Sequence, residues 1–177
     1  MIKFGPWPIS HNEIFFNSAH SYGIVNIKPV VPGHVLILPK RVCPRFGDLT
    51  PSEISDLFLS CSLVSKVIEK MYHAEAITMT IQDGPSAGQT VPHVHVHLIP
   101  RVKGDWMDNE YVSSFILNLY SEIYPTINGK EKELHAHLKK RQGPDDESRQ
   151  PRTQDDMKQE TDLLRVHFQS HQDIWSS

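Results

Sequence analysis

Three histidines alternate with apolar residues in His93-Val94-His95-Val96-His97-Leu98-Ile99. Side chains of an extended chain point alternately to opposite faces. The imidazoles therefore share one face, roughly 7 Å apart, and Val94, Val96 and Leu98 share the other. The apolar face has a core to fill, whereas a row of imidazoles serves no packing purpose. A single histidine on a strand is most simply structural or solvated; a triple alternation beside a glycine-containing loop points to chemistry. Neutral imidazoles at i and i+2 can share a metal, with His34 from a nearby strand as a third ligand. Imidazole, part neutral and part protonated near neutral pH, can equally serve as nucleophile and acid–base group on phosphorus. The preceding loop, Gln82 to Thr90, favours phosphorus without deciding the matter. Gly84, Gly88 and Thr90 allow close backbone approach, their N–H groups can cradle a phosphate, and only Asp83 in the segment offers itself to a hard metal.

These residues need elements to hold them. Tyr22 to Val25 and His34 to Leu38 are β-branched-rich runs separated by Pro29, Pro32 and Gly33, which predicts neighbouring antiparallel strands. Thr50-Pro51-Ser52-Glu53 carries a helix cap, a proline suited to the first turn and the glutamate of a capping box. Ile54, Leu57, Cys61, Val64, Ile68 and Met71 then recur in steps of three and four, the stripe of one long amphipathic helix. Ile77 to Ile81 reads as a strand, and Val91 to Ile99 as another, ended by Pro100. The expected fold is α+β, an antiparallel sheet with a long helix packed on one face. Residues 1–127 form the expected catalytic domain. From 128 to 150 charged groups dominate, with too few apolar residues to offset the entropy of ordering, so this stretch reads as a disordered insert. Residues 151–177 are expected to form a last helix and tail packing back on the domain, with Thr153 as cap and Met157, Leu164 and Phe168 on one face.

The 177 residues are 38% hydrophobic and 22% charged, with a formal net charge of −3. That excludes a global basic field for nucleic acid or an anionic membrane, so an anionic ligand must be attracted locally. No run approaches the roughly 18 apolar residues of a membrane span. The first ten residues lack the apolar core of a signal peptide. Cys43 and Cys61 form no CxxC or disulfide framework and fit a reducing compartment, cytoplasmic and also nuclear.

Gln89-Thr90-Val91-Pro92-His93-Val94-His95-Val96-His97-Leu98-Ile99-Pro100-Arg101 resembles the signature of the histidine triad superfamily, in which three histidines alternate with apolar residues. Pro32-Gly33-His34-Val35-Leu36 also matches it. Val25-Asn26-Ile27-Lys28-Pro29-Val30-Val31, Gln82-Asp83-Gly84-Pro85, Ala87-Gly88-Gln89-Thr90-Val91 and Leu164-Arg165-Val166-His167-Phe168-Gln169 bring the likeness closest to the fragile histidine triad branch, the diadenosine triphosphate hydrolases. The resemblance implies that His95 attacks the α-phosphorus of a dinucleoside polyphosphate and carries the nucleotide until water releases it. It makes His97 and Gln82 phosphate contacts, and His97 also an aid to leaving-group departure. His93 and His34 become supports that fix tautomers and ring orientation. Asn26 becomes a ribose contact, and Gly88, Gln89, Thr90 and Val91 the phosphate-facing loop. It further implies a homodimer with one continuous sheet and no cofactor held by the protein; a divalent cation, Mg or Mn, would arrive with the substrate.

Plainer readings stand beside these. His34 after Pro32-Gly33 and Asn26 ahead of Pro29 also fit structural turn residues, and Gln82 could bond only to backbone. His135 and His137 read as solvated. Trp7 fits either a stacking wall or the core; Trp106 and Tyr111 follow the histidine strand, and the sequence does not decide whether they influence substrate entry. Cys43 and Cys61 are most simply packing residues. Three rival functions remain: a nucleoside phosphoramidase, disfavoured by Pro100-Arg101 after the triad; a nucleotide-sensing adaptor with slow turnover; and a metal enzyme using His34, His95 and His97.

Overall fold

A computed structural model describes residues 2–103, 105 and 149–171. The chain divides into two compact units, 1–101 with 144–177, and 102–143. The expected insert, apart from Arg149 and Gln150, lies outside the described residues, as do Trp106, Tyr111, His135 and His137.

The first unit holds every strand and helix that builds the site. The strands are β1 (Lys3–Phe4), β2 (Trp7–Pro8), β3 (Ile14–Asn17), β4 (Ser21–Val25), β5 (Val35–Pro39), β6 (Ala76–Ile81) and β7 (Val96–Arg101). The helices are α1 (Pro51–Met71) between β5 and β6, and α2 (Gln154–Arg165) near the carboxy end. Strands β3 to β7 form one five-stranded sheet in the order β3-β4-β5-β7-β6, every neighbouring pair antiparallel. Hairpin β1–β2 is separate.

Helix α1 starts where its cap dictates. Thr50 Oγ1 accepts from the Glu53 N–H at 3.3 Å, while the Glu53 carboxylate accepts from the Thr50 N–H at 2.8 Å. Leu57, Cys61, Val64 and Ile68 are wholly buried against Val35, Ile37, Val96 and Leu98 of the sheet. Both cysteines are free and buried in this core. Met157, Leu164 and Phe168 of the carboxy-terminal segment join the same cluster, and Thr153 caps α2 as its sequence predicts. On the opposite face Tyr22, Ile24, Leu36 and Leu38 form a second cluster, against which Ile2, Phe4 and Ile9 pack from the amino-terminal segment. The histidines belong to this second face: Leu36 is registered with His97.

Three sequence expectations need correction. The histidine strand is shorter than Val91–Ile99: it begins at Val96, and 91–95 carry no strand assignment. There Val94 N–H donates to the Cys43 carbonyl at 2.7 Å, so side-chain alternation persists without a sheet ladder. Pro100 does not end the strand. It pairs with Ile77 beyond the last registered contact with β5 at Leu98, so its missing donor can face the unpaired side. Finally, β1, β2 and β3 precede the first strand legible in the sequence.

Candidate active site

The site gathers where β5 and β7 lie side by side. His34 precedes β5, His97 lies in β7, and His93 and His95 sit on the extended segment leading into it. All four are buried, His34 and His93 completely. Adjacent rings lie 5.2 Å apart for His34–His97 and 4.9 Å for His95–His97, with Phe4 edge-on to His95 at 5.1 Å.

Hydrogen-bond partners assign the protons. The Val30 N–H donates to His34 Nδ1 at 3.2 Å, so a neutral His34 carries its proton on Nε2. That nitrogen is 3.0 Å from His97 Nδ1 and donates to it, which places the His97 proton on Nε2. His95 is the reverse. Its Nδ1 is 2.7 Å from the His93 carbonyl, which can only accept, so Nδ1 holds the proton and Nε2 presents a lone pair. His93 is tied at both ends, accepting from the Gly5 N–H at 3.1 Å and donating from Nε2 to the Pro39 carbonyl at 2.9 Å. Gly5 has φ +57°, and a Cβ there would lie 2.7 Å from Val91 Cγ1. Glycine is therefore what lets the hairpin turn reach His93.

Burial first, then the neighbouring His97 imidazole and the Arg149 and Arg152 guanidiniums, hold His34 well below the ordinary imidazole pKa. Burial also lowers His93, opposed in part by its bond to the Pro39 carbonyl. Both rings are thus kept as neutral hydrogen-bond relays.

Asn26 is buried. Its side-chain nitrogen is 3.3 Å from His34 Nδ1 and 3.1 Å from Nε2, and its oxygen accepts from the Lys28 N–H at 3.0 Å. A cavity of about 450 Å³ opens beside His95, walled by Phe4, Trp7, Ile9, Ile24, Leu36 and Met157, with Asn26, Lys28, Thr90, Glu13 and Gln154 as polar points. Trp7 is 54% exposed, so it is a wall of the cavity and not a core residue.

The loop residues divide. Thr90 and Val91 line the cavity. The Gln82 side-chain nitrogen donates to the Ala87 carbonyl at 3.2 Å, while its oxygen is buried with no hydrogen-bond partner among the described residues. Gly88, at φ +89°, leaves the room Gln82 needs, since a Cβ would stand 2.4 Å from the amide nitrogen. Gln89 turns to the loop itself, accepting from the Gly84 N–H and donating to the Pro44 carbonyl, both at 3.0 Å. Asp83 is likewise committed, pairing with Arg45 at 3.1 Å and accepting from the Phe46 N–H at 2.8 Å. Among the described residues no three His, Cys, Asp or Glu side chains are disposed to share a metal ion.

Sequence reasoning missed a clamp behind the site. Arg152 donates to the Asn26 carbonyl from Nη2 at 2.7 Å and from Nε at 3.1 Å, and pairs with Glu160. Glu160 in turn accepts from the Gly33 N–H at 3.1 Å and the Tyr72 hydroxyl at 2.7 Å. One ion pair therefore grips both ends of the turn that carries Asn26, Val30 and His34. The apolar walls Phe4, Ile9 and Leu36 were also missed as cavity residues; Leu36 lies in the continuous apolar run Val35-Leu36-Ile37-Leu38, and Phe4 and Ile9 stand singly, so no local pattern marks them.

An antiparallel sheet with one helix-covered face, and a relay of buried imidazoles on the other, defines a histidine triad protein. Residues 10–104 match the HIT domain, and the chain belongs to that family. It is 42% identical to the bis(5'-adenosyl)-triphosphatase of Dictyostelium discoideum, over 95% of this chain and 93% of the relative. It is 44% identical to the asymmetrical bis(5'-nucleosyl)-tetraphosphatase of Schizosaccharomyces pombe, over 97% of each chain. Among solved structures, the diadenosine triphosphate hydrolase of Plasmodium falciparum in complex with Cyclomarin A superimposes with a TM-score of 0.66 at 26% identity, covering 96% of this chain and 84% of that one.

Proposed function

We propose that the protein hydrolyses dinucleoside triphosphates, cleaving diadenosine triphosphate to AMP and ADP through a nucleotide held covalently on His95. The observation that carries this reading is the opposed pair of tautomers: an unprotonated Nε2 on His95 and an Nε2–H on His97, their rings 4.9 Å apart. The His95 lone pair attacks the α-phosphorus, a P–N bond forms, and the P–O bond to the departing ADP breaks. The ring becomes cationic as it is phosphorylated, and the His93 carbonyl on its Nδ1–H stabilises that charge. His97 donates to phosphate oxygen and helps the leaving group depart. Water then attacks phosphorus, AMP is released, and the lone pair returns to His95.

The cavity beside His95 suits a nucleoside, with apolar walls for a base and Asn26 for the ribose. Gln82, with its buried amide oxygen, and Gly88, Thr90 and Val91 border the path of the polyphosphate; the bonds of Gln89 make it a brace of that loop. A divalent cation, Mg or Mn, reaches the site on the substrate. The working form is a homodimer joined through the sheet, in a reducing, cytoplasmic or nuclear setting. Relatives acting on both triphosphate and tetraphosphate chains support a dinucleoside polyphosphate as the substrate.

The test is a product assay on diadenosine triphosphate, diadenosine tetraphosphate and adenosine phosphoramidate, with wild type and His95→Ala. Wild type is expected to release AMP and ADP from the triphosphate and to retain α-labelled nucleotide transiently, and the variant to do neither. Faster cleavage of the phosphoramidate, or covalent label surviving in His95→Ala, would overturn the reading.

A further inference from the structure

We propose that Glu13 reads the edge of the base in this cavity and selects guanine over adenine; the inference rests on the nucleotide reading above. Glu13 closes the single turn His11–Glu13 just ahead of β3 and lines the cavity whose other walls include Phe4, Ile9 and Ile24. Among the described residues no donor reaches its carboxylate. Partial burial raises its pKa above the ordinary carboxylate value, because some of its water is lost and no donor among the described residues stands in for it. The group is therefore placed to gain from a ligand that brings donors.

The ligand's own chemistry decides which donors those are. With the α-phosphate at His95, the same cavity takes the sugar and base, and a carboxylate beside polyphosphate oxygens would repel them. The base is the part that suits Glu13. Guanine offers N1–H and N2–H side by side, matching the two oxygens of a carboxylate. Adenine offers only its amino group, flanked by ring nitrogens whose lone pairs face the second oxygen. A glutamine reverses the preference, since an amide accepts from the adenine amino group and donates to the neighbouring ring nitrogen.

The mixed substrate adenosine-5'-triphospho-5'-guanosine tests this within one reaction, because the base occupying the cavity is the one released as monophosphate. One water is consumed on either route, giving GMP and ADP or AMP and GDP. Wild type is expected to give mainly GMP and ADP. Glu13→Gln should move the product ratio toward AMP and GDP by roughly tenfold or more, and Glu13→Ala should bring it toward parity. Thermal unfolding of both variants should match wild type, as the Glu13 side chain bonds nothing among the described residues. A product ratio shared by wild type and both variants overturns the proposal, and is also the result expected if Glu13 held ribose hydroxyls. Absence of any cleavage would be a failure of the hydrolase reading. The ratio of GMP to AMP affinity by calorimetry then decides the role of Glu13: a fall in Glu13→Gln supports base reading, and an unmoved ratio overturns it.

Discussion

At the scale of single residues the site is a matter of where protons sit. Two backbone groups, the Val30 N–H and the His93 carbonyl, set opposite tautomers on His97 and His95. That arrangement survives only while His34 and His93 stay neutral. Both have pKa values held below the ordinary imidazole value, chiefly by burial. The unfolded chain therefore binds protons that the native state refuses. The sign follows: native stability is complete above the unfolded value and is lost as pH falls through it toward the lower folded values. Each histidine contributes a slope of at most about 1.4 kcal/mol per pH unit. Urea unfolding at about pH 7.5, 6.5 and 5.5, values that bracket the unfolded imidazole pKa, should show stability falling on acidification. His34→Gln should flatten the curve by up to one proton's worth, whatever it does to stability at the highest pH. Parallel curves for the two proteins would show that His34 is not kept neutral by the fold.

Among the elements, α2 is the one whose role reaches furthest from its own position. Its Glu160, paired with Arg152, fastens the Asn26 carbonyl and the Gly33 N–H, so the turn bearing Asn26 and His34 depends on a helix far along the chain. The pair is mostly shielded, at 19% and 11% side-chain exposure. Removing one partner should therefore destabilise the fold by about 2–3 kcal/mol, near the lower end for a buried pair. Glu160→Ala is expected to show that loss together with a KM for diadenosine triphosphate raised about tenfold. Arg152→Lys keeps a charge for Glu160 but not the fork on the Asn26 carbonyl, so it should spare stability more than KM. Equal effects of Arg152→Lys on both, or none on KM, would reduce the clamp to a structural tie. Sequence could not show this clamp, because nothing local marks two residues that meet the 26–33 turn only through tertiary packing. Helix α1 was legible because its capping box and three–four stripe are local. The imidazole face was legible because alternation survives in any extended chain, even where 91–95 make no strand. Hairpin β1–β2, with two residues per strand, is too short for any period. The first three residues of β3, Ile14, Phe15 and Phe16, are all buried, which erases the alternation that would have marked a strand.

In the whole molecule the HIT domain match, 10–104, contains the imidazole relay, while Phe4, Trp7, Gln154 and Met157 complete the cavity from outside it. Phe4 and Met157 pack on opposite faces of the five-stranded sheet, whose two edges are in different states. At one edge β3 packs against α2, whose Leu164, with Phe168 just beyond, meets Phe15 and Phe16. At the other, β6 runs six residues, Ala76-Ile77-Thr78-Met79-Thr80-Ile81, without a proline or a charge, and no residue in it is fully buried. Among the described residues this edge lacks the lysines, prolines and bulges by which an exposed strand avoids pairing. A second copy of β6 running antiparallel would satisfy its outer backbone groups and give the continuous sheet proposed for the homodimer. Sedimentation equilibrium should then report a dimer. Met79, 43% exposed, provides the handle: Met79→Lys should weaken self-association by about tenfold or more while leaving the fold of each protomer intact. A dimer of unchanged affinity in that variant would move the interface away from β6, and a monomeric wild type at micromolar concentration would remove the proposed assembly altogether.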